Sequence, residues 1–375
     1  MTRTGFAELP LHGGKAPYWL VERMRGLSEA IVEVILEEYG VDRLFDRLAN
    51  PFWFQAFGCV LGYDWHSSGV TTVVTGVLKS VLKPEKHGVA VAGGKGKAST
   101  RAPEEIEALG ERFGLSDEQI NHLRYTSRMS AKVDNSAIQA GYPLYHHAFF
   151  LERGTKWLVI QQGMNIAEKA ARRYHWQSDH VKNLVVEPHD AIVGDISHEH
   201  VLNMTAKESE DARHVSVDLV NDGPDRLRRL VNISPTNQTS LTRWLVSYGN
   251  EELRMPWKID WDALRRAYEA SPRSYEELLA VRGVGPSTLR GLALVSEVVH
   301  GRSPSWTDPV RYSFAYGGKD GVPYPVNRKA MDESIQFLRE AIENAKIGEK
   351  SRLEAFRRLA QYPSSAANES RLARA

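Results

Sequence analysis

Lys132 stands four residues after Arg128 in the segment RMSAKVDNSAIQ, a spacing that puts both cations on one face of a helix. Like charges crowded together depress each other's pKa, and a lysine that sheds its proton more easily is a candidate nucleophile. Asp134 follows two residues on and is a candidate base. Two further amines, Lys95 and Lys97, lie in the glycine run AGGKGKAST, which can present an amine or cradle a phosphate, although the spacing of a P-loop is missing. A third polar group, Asp64, His66, Ser67 and Ser68, closes the aromatic run PFWFQAFGCVLGYDW beside Gly69, as either a pocket rim or a capped helix end. The candidate catalytic residues are therefore Lys132, Lys95, Lys97, Asp134, Asp64 and His66. For any single lysine, plain solvent exposure is the commoner state. His189, His198 and His200, with Asp190 and Asp195, form the one region where a metal cluster can be argued, but no HxxxH, HExxH or CxxC spacing supports it. No metal and no cofactor is expected.

The elements that must hold these residues are legible in outline. An amphipathic helix runs from Trp19 to Tyr39, closes at Gly40 and repeats its pattern to Ala49; Pro51 starts the next. Val89 to Ala92 reads as a strand emptying into the glycine loop, and Ser116 with Gln119 opens a helix expected to reach Gln139. LYHHAFF and KWLVIQQGMN, on either side of Arg153-Gly154, read as a β-hairpin in which His146 and His147 point to opposite faces. AEKAARRYHW is expected to resume a helix. Further on, Ser274 and Glu277 have capping-box spacing, and VRGVGP separates two short apolar-faced helices, in the manner of a helix-hairpin-helix. There Gly283 and Gly285 let backbone approach a phosphate, and the second helix aims its N–H groups at it; an ordinary αα-corner is the alternative. The expected DNA contacts are Gly283, Val284, Gly285, Ser287 and Thr288, with Arg128, Arg172 and Arg173 as local cations.

At 375 residues the chain is long enough for two domains. The expected class is α+β. Residues 1–255 form a catalytic domain of long helices around a small antiparallel sheet, 256–346 an all-α helix-hairpin-helix domain with a return segment, and 347–375 a C-terminal helix and tail. A net charge of +1 excludes a protein that coats DNA by charge alone, so any DNA contact is a local patch. No apolar run spans a bilayer and the N-terminus is not a signal peptide, so a cytoplasmic protein without a membrane partner is expected. The single cysteine, Cys59, excludes a disulfide framework.

Taken together, AELPLHGG, PFWFQAFGCVLGYDWHSSG, AGGKGKAS, SRMSAKVDN, LYHHAFF, QQGMN, ARRYHW, VRGVGP and RYSFAYGGKDG resemble a mostly archaeal and thermophile family long described as of unknown function, members of which are associated with cleavage of DNA at abasic sites. The resemblance implies an apurinic/apyrimidinic lyase acting on abasic-site DNA. No catalytic residue carries over by identity. The chemistry needs one neutral lysine and one base. Lys132 with Asp134 or Asp64 meets that need, Lys95 and Lys97 less well, and Lys319 in a second glycine loop is fourth. The other readings are a metal-dependent nuclease and a noncatalytic DNA-binding protein. In a glycosylase variant of the first, Asp308 follows the hairpin at a longer spacing than usual.

Overall fold

The computed structural model describes residues 18–63, 68–194, 196–231, 259–310 and 328–360. Asp64, His66, Lys319 and the expected boundary at Met255-Pro256 lie outside them. The first helix, α1 (Tyr18–Ala49), breaks at Gly40, whose φ of 78° is left-handed, so the apolar face ends and restarts where the sequence shows it. Asn50 then caps α2 (Pro51–Val60), its Oδ1 accepting from the N–H groups of Phe52 and Trp53 at 2.9 and 3.1 Å. After α3 (Gly69–Val81) and α4 (Pro84–His87) comes β1 (Val89–Lys95). This strand does not empty into a loop at Ala92. It carries on through Lys95, because Gly93 lets it pass where a Cβ would meet His147 O at 2.2 Å.

The helices α5 (Lys97–Thr100), α6 (Ala102–Phe113) and α7 (Asp117–Lys132) follow, the last opened by the expected Ser116/Gln119 capping box. Helix α7 stops seven residues short of Gln139. A π-turn (Val133–Ala137) and the two-residue strand β2 (Ile138–Gln139) take its place. The hairpin forms as β3 (Leu144–Glu152) and β4 (Trp157–Asn165). Next, β5 (Ala170–Gln177) corrects the helix expected from AEKAARRYHW: Ala, Glu, Lys and Arg favour a helix locally, but pairing to β4 and β6 (Ala191–Gly194) overrides them. The sheet is antiparallel throughout, in the order β1-β3-β4-β5-β6.

A short strand β7 (Leu202–Asn203) pairs with β2, and the rest is helical: α8 (Glu210–Asn221), α9 (Pro224–Val231), α10 (Trp261–Ala270), α11 (Tyr275–Ala280), α12 (Pro286–His300), α13 (Arg328–Asn344) and α14 (Glu349–Ala360). Strand alternation sorts the core into two layers. Val91, Ala148, Phe150, Leu158 and Ile160 pack on α1–α3, α13 and α14. Ala92, Phe149, Leu151, Val159 and Trp176 pack in a second core that takes in Leu264, Leu278, Leu289 and Leu292 of α10–α12. Helices α10–α12 thus share one core with the second face of the sheet, while α13 and α14 belong to the first. Among the described residues no helix is long and apolar enough to cross a membrane.

Candidate active site

Lys132 ends α7, and its side chain reaches the helical hairpin. Its Nζ donates to Val281 O at 2.5 Å, the carbonyl of the residue that closes α11 and opens the turn. Burial without a counter-charge lowers its pKa to about 8. The mechanism differs from the one the sequence points to: Arg128 is exposed, and the shift comes from desolvation, not from a crowded cation.

The helix that leads into the turn is capped at its start. Ser274 accepts from Glu277 N–H at 3.1 Å, while the Glu277 carboxylate takes the N–H of Arg273 at 2.7 Å. Val284 is buried under the turn and Thr288 in the first turn of α12, so their side chains belong to the core, and of the contacts expected on the hairpin only Gly283, Gly285 and Ser287 show a surface. The two glycines differ. Gly283 has φ 92°, and a Cβ there would meet Arg266 Nη2 at 2.4 Å; Gly285 is extended, and its Cβ would find only Gly283 O at 3.8 Å. Neither backbone geometry nor packing requires glycine at 285. The first intrahelical acceptor of α12 is Gly285 O, taken by Leu289 N–H at 3.0 Å. The N–H groups of Ser287 and Thr288 precede it and have no partner within the helix. Gln139 donates to Pro286 O at 2.8 Å and clamps this helix start to β2.

Asp134, two residues beyond Lys132, turns the other way, and its carboxylate is fully engaged in the interior. Oδ2 accepts from Gln161 Nε2 at 2.5 Å and Trp176 Nε1 at 3.0 Å, and Oδ1 accepts from His189 Nε2 at 2.5 Å. It is therefore not the base beside Lys132 that sequence proximity points to. The network goes on: His147 Nδ1–H donates to Gln161 Oε1 at 2.7 Å, and its Nε2 meets Ser127 Oγ at 2.9 Å. On the opposite face His146 Nε2 meets Thr75 Oγ1 at 2.9 Å, so the two histidines do point apart. Burial drives His146 down to about 3 and lowers His147 and His175 as well, which keeps all three neutral. The chain Asp134–Gln161–His147 and its partner His189 span the π-turn, β4, β3 and the loop before β6, and nothing in their spacing reveals it; only the amides Gln161 and Gln162 within β4 hint at a buried polar row.

Arg172 and Arg173 are not DNA contacts. Both lie at 0% exposure in β5 and spend their guanidinium groups inside. Arg172 donates to Asp308 Oδ2 at 2.8 Å and lies 4.5 Å over the Tyr142 ring; Arg173 donates to His175 Nε2 at 2.8 Å and to Gln55 Oε1 at 3.2 Å. Asp308, so engaged, is a structural ion-pair partner. Lys95, at the exposed end of β1, lies 5.8 Å over Tyr145, and Lys97 is exposed at the start of α5; neither approaches the hairpin by any contact. His189, His198 and His200 do not converge: Asp134 takes His189, Asp190 takes His180, and His198 faces Tyr142 and Glu168. Among the described residues one group has ligand spacing, Glu29, Glu33 and His87. The Lys86 ammonium already bridges both glutamates there, and Lys83 N–H donates to His87 Nδ1 at 2.9 Å, which fixes the ring proton on the Nε2 that would have to bind a metal.

No curated protein and no solved structure matches the chain. Residues 5–326, well over half of it, match the family described as protein of unknown function (DUF763), and the chain belongs to that family.

Proposed function

We propose that the protein is a metal-independent lyase of abasic-site DNA, with Lys132 as the nucleophile and the α11–α12 turn as a helix-hairpin-helix grip on the DNA backbone. The observation that carries this reading is the half-buried Lys132 amine placed on the carbonyl of Val281, where the glycine turn begins. A phosphate seated over Gly285, at the free N–H groups of Ser287 and Thr288, would bring the neighbouring sugar toward that amine. An unperturbed lysine is neutral in about one molecule in a few thousand at pH 7; a pKa of about 8 raises this to about one in ten. The neutral amine adds to the aldehyde C1′ of the ring-opened sugar, and loss of water gives an imine. Its protonated form acidifies C2′, removal of that proton expels the 3′ phosphate, and water then releases the enzyme.

Borohydride reduction freezes the imine as a covalent protein–DNA adduct. The adduct is expected with abasic DNA in the presence of EDTA, with the bond mapped to Lys132. Lys132→Ala and Lys132→Arg should both abolish it while DNA binding stays within a few fold, since a guanidinium cannot act as the amine nucleophile. An adduct mapped to Lys95 or Lys97 would reassign the nucleophile, and no adduct under any condition would sink the reading.

A further inference from the structure

A second site stands on the far side of the π-turn from Lys132. A pocket of about 400 Å³ opens between β6, β7 and residues 305–310, and His189 lines it. The His189 ring cannot turn freely: its Nε2 is held by Asp134, which is itself fixed by Trp176 and Gln161, and the Trp176 ring meets it edge-on at 4.7 Å. With the Nε2–H directed to Asp134, Nδ1 is the ring position left to exchange a proton, and it has no hydrogen-bond partner among the described residues. This is how a general base is held. We infer that the pocket is a hydrolytic site for the N-glycosidic bond of a nucleoside unit, with His189 as the catalytic base and Asp134 as its positioning residue.

The lining selects this class of ligand. Asn203, Thr205, Ser305 and Thr307 offer uncharged donors and acceptors, while Ile192 and Val310 add apolar surface, a mixture suited to the edge and face of a base. Among the described residues that line the pocket none is a lysine or arginine; beside them Lys207 pairs with Glu187 and Arg172 with Asp308. Glu208 brings an exposed carboxylate, of the kind that stabilises the positive charge developing on a sugar as its glycosidic bond breaks, while the Glu187 carboxylate is paired with Lys207 at 2.8 Å. In the reaction His189 Nδ1 takes a proton from water as the water oxygen bonds to C1′. The C1′–N bond breaks with its electron pair leaving on the base, and the imidazolium returns the proton to that nitrogen. The choice of a nucleoside unit rests on the reading of the chain as a DNA-acting protein; the site's geometry does not depend on Lys132.

The test offers the full chain, in EDTA, duplexes carrying a single uracil, hypoxanthine or 8-oxoguanine, and in a separate arm free 2′-deoxynucleosides. Released base is read by chromatography. Release from at least one substrate is expected, and the arm that responds tells an extruded base from a free nucleoside. His189→Ala should lower kcat about 100-fold or more, with borohydride trapping on preformed abasic DNA unchanged. Asp134→Asn should lower kcat and leave KM alone, because an amide facing Nε2 moves the ring proton onto Nδ1. Thr307→Trp, which fills the pocket from an exposed position, should raise KM. No release from any substrate, or release indifferent to His189→Ala and Thr307→Trp, overturns the inference. Loss of trapping with release intact would sink the lyase reading and leave this one standing.

Discussion

For Lys132 the decisive quantity is the proton on one amine. If the neutral form is the nucleophile, the single-turnover rate of adduct formation should rise about tenfold per pH unit up to the lowered pKa of about 8 and level off above it. A rate that keeps climbing to pH 10 would show an unperturbed amine and remove Lys132 as the candidate. The neutral histidines have the opposite consequence, for stability. His146, His147 and His175 bind fewer protons when folded than when unfolded, so their contribution is intact above pH 6.5 and is lost as pH falls below it. Urea melts should show unfolding free energy falling as pH drops from 6.5 to 5, with His146 alone approaching about 1.4 kcal/mol per unit; a flat profile would mean that the rings are charged in the fold. The sequence exposed Lys132 as a candidate but gave the wrong cause, because crowding by Arg128 is visible in the spacing and burial under α11 is not. Asp134 failed as its base for the same reason: two residues of separation on a turning backbone send side chains to different neighbours.

At the scale of elements, the hairpin makes the sharpest prediction. Gly283→Ala forces a side chain into left-handed backbone and against Arg266, and should cost about 1–2 kcal/mol in thermal or denaturant melts. Gly285→Ala should be neutral or stabilising by up to about 1 kcal/mol. Gly285→Glu should nevertheless weaken binding to duplexes of any sequence, because it closes the approach to the N–H groups of α12 without touching base readout. Unchanged binding by a folded Gly285→Glu protein would make the turn merely structural. Elements marked by local chemistry were readable: the Gly40 break, the Ser116 cap, the β3–β4 hairpin and the 274–277 cap. Those decided by distant partners were not. β5 carries a helix former's composition, and only its place between β4 and β6, with Arg172 and Arg173 buried on opposite faces, makes it a strand.

Over the whole molecule, the second core runs from the sheet into α10–α12 without interruption, and the Arg172–Asp308 pair ties β5 to the chain that returns from α12. Calorimetry should therefore show the sheet and these helices unfolding in one transition. Asp308→Ala should lower the stability of all of it by about 3–5 kcal/mol, since it leaves a guanidinium buried alone; two resolved transitions would show that the units are independent. The sheet holds one more consequence. Its polar row is written in doublets, His146-His147, Gln161-Gln162 and Arg172-Arg173, with His146 opposite Gln162 and Gln162 opposite Arg173. Slide any of these strands by one residue and a histidine still meets a glutamine, so the polar chemistry is nearly blind to misalignment. What is not blind is Gly93 against His147 O and Gly163 against Tyr142 O, where a Cβ would stand 2.2 and 2.1 Å from a carbonyl oxygen. As these strands pair during folding, two absent methyl groups help to tell the correct alignment from its neighbour.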